Sequence, residues 1–458
     1  MRRFVILLAA PIVLTAACSG TSGAAPAASS VTNAETTTAS AGSTSHYTNW
    51  TTYHRTNDRA GNATGAIKGR LHPAWTTHLD GAVYGEPLLI NGTLIAATEN
   101  DSVYGLSPRT GKQRWRTSLG TPQGASGKPC QGNINPLGIT GTPAYDATTG
   151  SVFVVAETSG GHHTLWALNP KNGTRRWHRS TDVLASRDRT GEQQRSALLV
   201  TSGRIVTTYG GLYGDCGNYV GYVTSLAVNG KGTMTHYAVP TPREAGMWSP
   251  AGVAVGRNGN LYVASGNGAG TSGKWDKSDS VTELRPKSLH RVAAFAPASW
   301  QQDNAEDLDL GSSTPVPVNG RIVIAGKRGT VYLLKPSLGG VGGDIAQASG
   351  CTAFSGAARI GNRVIMPCRG GIRMLSVGRH SLHWRWSAGG IYGSPVIAGK
   401  RVFVVDANSD ALKVLSLSTG HVQSSHPVGP LASFTSVVID GNHAFVPTTS
   451  GITAFHGS

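Results

Sequence analysis

The sequence predicts an all-β chain: an eight-bladed β-propeller of four-stranded blades, closed by an N-terminal strand that completes the last blade. Three observations predict it. Glycine, 61 of 458 residues, is spread evenly between short runs of Val, Leu and Ile, which implies many turns between many strands. A motif recurs, VYGLSPRTGKQRW at 103–115 and LWALNPKNGTRRW at 165–177, with a β-type run ending in Leu, Gly five residues later and Trp nine residues later. Eight anchor positions of this kind, Leu106, Leu168, Leu226, Leu284, Leu334, Leu375, Leu415 and Phe455, are separated by 62, 58, 58, 50, 41, 40 and 40 residues. The shortest gaps match one propeller blade of about 40–50 residues. The composition excludes a coiled coil, and glycine without a G-X-Y period excludes collagen.

Residues 1–18 read as an export signal. Arg2 and Arg3 precede an apolar run, Phe4 to Leu14, that is too short to span a bilayer, which takes about 20 residues. The small residues before Cys18 resemble a bacterial lipobox, with Thr15 where the pattern most often has Leu. The resemblance implies cleavage before Cys18 and lipid on its sulfur, and a membrane anchor follows. Residues 19–46 are almost all Ser, Thr, Ala and Gly with one charge, Glu35; such a stretch reads as a tether. Residues 47–69 lead into the propeller, which occupies 70–458.

Within each unit the order is strand, turn, strand, turn, anchor strand, Gly turn and Trp strand. Pro87, Pro143, Pro250, Pro315 and Pro395 stand where first strands begin, and VIAGKRVFVV at 396–405 shows a hairpin of the first two strands. The motif recurs as IRMLSVGRHSLHW at 372–384, with His380 in place of Gly. The unit ending at Phe455 has no room for a Trp strand. LHPAWTTHL at 71–79 has a Trp strand and no anchor before it, so Trp75 is expected on the outer edge of the last blade, which removes the open sheet edge. Trp75, Trp115, Trp177 and Trp384 are expected to be structural, each covering a neighbouring blade with its N–H on a backbone carbonyl.

Without Cys18, four cysteines remain. An even number in an exported chain implies two disulfides, and four cysteines allow three pairings. The expected pairing is Cys130–Cys216 with Cys351–Cys368. The second closes a loop of 17 residues, worth about 3 kcal/mol in the chain-entropy model. Forty Lys and Arg against 24 Asp and Glu give a net charge of +16. A basic surface attracts anions such as cell-wall polymers, anionic head groups or an acidic partner; nucleic acid is not expected outside the cell. The longer gaps place extra loop length between Leu106 and Leu334, near Cys130, Cys216, Asn267 and Trp275. Long loops on a rigid scaffold carry function, so a binding rim braced by Cys130–Cys216 is expected there.

The Leu-Asx-x-x-(Thr/Asn)-Gly-x-x-x-Trp pattern resembles the repeat of the quinoprotein-like, or PQQ-like, propellers, over about 70–458. CQGNINPLGITGTP at 130–143 and GGLYGDCGNYVG at 210–221 resemble exported actinobacterial-type members. That family holds both quinone-dependent alcohol and sugar dehydrogenases and cofactor-free scaffolds of the BamB type. For a dehydrogenase the resemblance implies PQQ beside a calcium ion held by a Glu, an Asn in a Gly-Asn motif and an Asp. SGNGAG at 265–270 resembles the Gly-Asn motif, with Asn267 as the ligand, for PQQ and calcium alike. No Glu or Asp falls in a matching motif, with Asp303 and Asp307 only near by, and no adjacent Cys-Cys pair exists. Gly266-Asn267-Gly268 also reads as a turn suited to positive φ. His162-His163 reads as a solvated hairpin tip, and DANSD at 406–410 as a hairpin turn, since a calcium loop would need Gly at Ala411. The expected function is binding or scaffolding in the cell envelope without catalysis, as a lipid-anchored or secreted monomer. The partner would be an envelope protein or anionic polymer, with no cofactor. A PQQ- and calcium-dependent alcohol or sugar dehydrogenase is the alternative.

Overall fold

A computed structural model describes residues 47–458 of the chain. The export signal, Cys18 and the tether lie outside the described residues.

Eight sheets carry the eight anchors, each on the third strand of its own sheet. The first blade consists of Leu88–Ile90, Thr93–Ala97, Ser102–Leu106 and Gln113–Ser118, each antiparallel to the next. Blades two to seven span 144–180, 192–238, 254–296, 316–349, 358–389 and 395–427. The third gains a short strand, Glu192–Gln193, and the fourth a parallel one, Gly340–Val341. In the eighth, Val438–Asp440, His443–Thr448 and Gly451–Gly457 are completed by Leu71–His78. The pairing of Leu71 with Gly457 and of His78 with Gly451 joins the two ends of the propeller chain.

Apolar clusters lie between blades, because each twisted sheet has two apolar faces and needs a neighbour on both sides. Phe153 and Leu165 of blade two pack with Ile205 and Leu226 of blade three. The ring closes where Phe445 and Phe455 of blade eight meet Phe403 of blade seven and Leu94 and Tyr104 of blade one.

The Gly and Trp of the motif are two halves of one joint. The Trp of one blade lies on the turn glycine of the next: Trp75 on Gly111, Trp115 on Gly173, Trp177 on Gly230 and Trp386 on Gly420. A Cβ on any of the four would fall 2.4–2.6 Å from the indole, and all four glycines have φ between 69° and 74°. The indole N–H of Trp75, Trp115 and Trp386 donates to Pro108, Pro170 and Leu417 of the same following turns.

The sixth blade departs from the expected spacing. Its turn is two residues longer, so Trp384 lies opposite the anchor Leu375 and Trp386 opposite Met374. Trp386 therefore fills the inter-blade seat, while Trp384 donates to Ser349 of the preceding blade. The fifth blade's outer strand, Ala346–Ser349, has no Trp, which explains why the sixth blade's turn can carry His380 in place of Gly. Gly173→Ala should cost about 1–3 kcal/mol by forcing a Cβ into Trp115 at positive φ. Chemical denaturation measures it; the same change at Gly361, where a Cβ meets nothing within 4 Å, separates the φ cost from the clash.

The lead-in segment closes one end of the channel. Trp50, Tyr53, His54 and Arg59 are all 3% exposed or less. Trp50 Nε1 and His54 N donate to Glu86 of blade one. His54 reaches Ala357 O and Ser436 Oγ of blades six and eight, and Arg59 reaches Val253 and Leu198 of blades four and three. The channel makes room for this plug at one repeat position, four residues before the end of each first strand. There the blades carry Thr142, Ala197, Ala251, Thr314, Gly356, Ser394 and Ser436, all small, and once Glu86, the plug's partner. A Cβ on Gly356 would lie 2.7 Å from the Tyr53 ring. Among the described residues no helix is long and apolar enough to cross a membrane.

Candidate functional site

With one end plugged, the channel is a funnel open on the other face. The inserted loops gather there. Cys130, in the loop after blade one, is bonded to Cys216, between the second and third strands of blade three, and Cys351 is bonded to Cys368. The rim is stitched further by Arg187, whose Nη1 donates to Asn218 Oδ1 and Pro242 O, both at 2.7 Å. The funnel encloses about 980 Å³.

Its floor, next to the plug, is built from a second repeat position, six residues before the end of each first strand. Four blades place an aromatic there, Tyr84, Phe354, Tyr392 and Phe434, and blade three places Arg195. Phe354 and Phe434 stack at 6.0 Å, with Tyr392 edge-on to both. Arg195 spans this floor and sets its guanidinium 4.9 Å from the Phe434 ring and 5.9 Å from that of Tyr84. Arg195 is 8% exposed and Gln193 4%. Arg195 Nη2 and Gln193 Nε2 have no hydrogen-bond partner among the described residues. Burial pulls the Arg195 pKa down, with Tyr84 and Glu99 opposing.

The facing wall comes from blades four and five. Trp248 Nε1 donates to Asp309 Oδ2 at 3.2 Å, and Lys327 Nζ lies 3.0 Å from Asp309 Oδ1 and also pairs with Asp307. Burial raises the Asp309 pKa against the pull of Lys327. Burial works against the Lys327 charge too, but Asp309 and Asp307 hold its pKa above the usual lysine range.

Asn267 lines this funnel. Neither it nor its flanking glycines has positive φ, so the expected reason for the Gly-Asn-Gly turn is incorrect. Gly266 is needed for approach: a Cβ there would lie 2.4 Å from Asp309 Oδ2. The 266–279 loop is pinned from behind by Asn304, which accepts from Gly268 N and donates to Ser278 Oγ. Asp307 lines the funnel beside Lys327, whereas Asp303 is buried behind it against Ser299 and Arg328. Among the described residues no three His, Cys, Asp or Glu side chains are grouped to hold a metal ion.

The histidine pair is not a solvated tip. His162 is exposed, but His163 is fully buried, with Nε2 3.2 Å from Glu157 and Nδ1 2.9 Å from Asp182. The sequence reading also missed Arg195, Trp248, Asp309, Lys327 and the aromatic wall. No motif marks them; aligning the residues ahead of each first strand would have shown the aromatic position.

Eight four-stranded blades, four of their joints made by a Trp seated on the next blade's turn glycine, define a PQQ-like repeat β-propeller. The chain belongs to the family described as outer membrane protein assembly factor BamB, whose model matches residues 33–268. No curated protein matches the chain. Solved structures of the same fold include the quinohemoprotein alcohol dehydrogenase from Comamonas testosteroni, at 16% identity over 90% of this chain and 81% of that one, TM-score 0.66. BamB from Moraxella catarrhalis is similar at 14% identity over 84% of this chain and 100% of that one, TM-score 0.59. A europium-containing methanol dehydrogenase is similar at 13% identity over 88% and 90%, TM-score 0.67. At these identities the likeness is one of fold.

Proposed function

We propose that this chain is a binding and scaffolding propeller of the bacterial cell envelope, working without catalysis. It would be exported, held at the outer face of the membrane by lipid on Cys18 or else secreted, and would engage an envelope protein or an anionic polymer through its long-loop face. The observation that carries this reading is the asymmetry of the channel. Residues 50–63 fill one end, so recognition is left to the disulfide-braced funnel at the other. Two disulfides and membership of the BamB family fit an exported protein.

A quinone-dependent dehydrogenase is the second reading. It is favoured by one observation: Asn267, Trp248 and Lys327 line the same cavity. The donor set does not fit calcium, which takes six to eight oxygens. Asn267 offers an amide, but both Asp309 oxygens are already engaged by Trp248 and Lys327, and Asp307 is held by Lys327. Gln193, which lines the cavity from blade three, is an amide rather than a carboxylate. Titration of the purified protein with PQQ and calcium, followed by absorbance and Tm, is expected to give a flat response and no dye-linked oxidation of alcohols or sugars. Saturable binding accompanied by oxidation would replace the scaffold reading with the dehydrogenase.

A further inference from the structure

We propose that the funnel is a binding site for an acidic saccharide: a sugar ring carrying one carboxylate or phosphate group. The inference rests on the non-catalytic binding reading and names the ligand class of that same site.

Two side chains point to a ligand. Arg195 and Gln193 line the cavity, are each more than nine-tenths buried, and keep a donor nitrogen with no partner among the described residues. A buried guanidinium is costly unless something anionic meets it, and its planar fork suits a carboxylate or phosphate. Among the described residues no carboxylate forms an ion pair with it or with Arg369, which is exposed and lines the same cavity. Tyr392 lies close to both cations.

The charge of the funnel is polarised. Opposite the two arginines stand Asp307, sharing Lys327 with Asp309, and Asp215, which accepts from the Tyr219 hydroxyl. A dianion or larger polyanion filling the cavity would meet those carboxylates. A ligand with one anionic end and a hydroxyl-rich body would not: its hydroxyls can donate to Asp215 and Asp307 while its anion takes Arg195. Amide side chains ring the space between, at Asn133, Asn267 and Asn408. Each offers a donor and an acceptor side by side, the arrangement that matches vicinal hydroxyls. The Phe354–Tyr392–Phe434 wall supplies apolar ring faces for the C–H face of a sugar. A volume of about 980 Å³ is at the large end for small-molecule sites, 300–1,000 Å³, and holds more than one sugar ring.

The experiment titrates the full chain with three probes, the monocarboxylate glucuronosyl-galactose, the monoanionic methyl phosphodiester of galactose at O6 and neutral galactobiose, following tryptophan fluorescence and calorimetry. At least one anionic sugar is expected to bind saturably, at least about tenfold more tightly than galactobiose, a difference of about 1.4 kcal/mol. The glucuronosyl and phosphodiester arms tell a carboxylate source from a phosphate source. Arg195→Gln should weaken that binding at least about tenfold. Because Arg195 is buried, Arg369→Gln serves as the second variant; it should weaken the same binding with Tm unchanged. Equal affinity for galactobiose, no binding of either anionic sugar, or binding that Arg369→Gln leaves intact would overturn the proposal. If the anionic sugars fail and the dye-linked assay is also flat, only the ligand class falls. Oxidation in that assay removes the binding reading itself.

Discussion

Arg59→Ala should destabilise the protein by about 3–5 kcal/mol, the range for breaking a buried, hydrogen-bonded charge network, seen as a large loss of Tm and of the denaturation midpoint. Arg59 is 3% exposed. Its Nε donates to Val253 O at 2.9 Å, its Nη2 to Leu198 O at 3.1 Å, and its Nη1 to Thr52 Oγ1 and Tyr53 O. One guanidinium therefore ties the plug to blades three and four and satisfies carbonyls that no water reaches. It is also the positive charge that answers Glu86, whose carboxyl burial pushes up to about 7. Burial lowers Arg59 itself only to about 10, so it stays charged at neutral pH. Removing it leaves Val253 O without its side-chain donor and Glu86 without a countercharge. Arg59→Lys should recover only part of the loss, since a single ammonium cannot span both carbonyls. If the alanine variant melts within a degree of the parent, the segment before residue 70 is not a structural plug.

The ring of blades was legible because its signal is repeated. Eight anchors recur at blade spacing, four of them with the glycine five residues on and three with the tryptophan nine residues on, so a misread copy such as Trp384 is outvoted by the others. The N-terminal closing strand was legible for a related reason: the unit ending at Phe455 lacks a Trp strand, and residues 71–79 hold one with no anchor before it. Counting an even number of cysteines gave two disulfides and left three pairings open; the structure bonds Cys130 to Cys216 and Cys351 to Cys368. The plug was not legible. Residues 47–69 carry no repeat and little apolar periodicity, and their burial comes from hydrogen bonds to carbonyls and hydroxyls scattered over the blades. Its only trace is negative, the row of small residues at one repeat position.

The funnel was half legible. Unequal anchor gaps placed the long loops on one half of the ring, and Asn267 does reach the cavity. The residues that give the cavity its chemistry sit one per blade, far apart in the chain. Arg195 and Phe434 are separated by 239 positions yet lie in contact. Such a site becomes visible only when the blades are superposed. The same holds for His163. Two adjacent histidines at a hairpin suggest solvent, but strand alternation turns one outward and the other into the acidic layer between blades.

That acidic layer makes stability fall as pH rises. Glu99 and Asp101 of blade one, Glu157 and His163 of blade two, and Asp182 and Glu192 before and in blade three meet in the interior, with Lys128 near by. Burial works against a charge on His163, but Glu157 and then Asp182 raise it to about 10. Glu99 and Glu192 are raised to about 7 and Asp101 to about 8, each chiefly by burial, with Glu157 and Glu99 adding to the shift at Asp101. Both Asp101 oxygens and Glu99 Oε1 lack a hydrogen-bond partner among the described residues. A carboxyl raised in the folded state holds its proton where the unfolded chain has released it. Its stabilisation is complete below the unfolded values of 3.8 and 4.5 and is lost as pH climbs through 7 to 8. His163 adds the same sign, its contribution present below 6.5 and lost toward 10. His54 has the opposite sign: burial lowers it to about 3, so its contribution is present above 6.5 and lost in acid, which limits the gain below about pH 5. The Tm should therefore be highest near pH 4–5 and drop toward pH 8.5, with Glu99 or Glu192 taken singly worth about 3 kcal/mol across that window and Asp101 about 5 kcal/mol, at 1.36 kcal/mol per pKa unit. Asp101→Asn keeps the shape and removes the titration. It should raise the Tm most at pH 8.5, by less at pH 5.5, and leave it nearly unchanged at pH 3.5, below the unfolded value of 3.8; a variant as pH-sensitive as the parent would show that Asp101 does not carry a displaced proton.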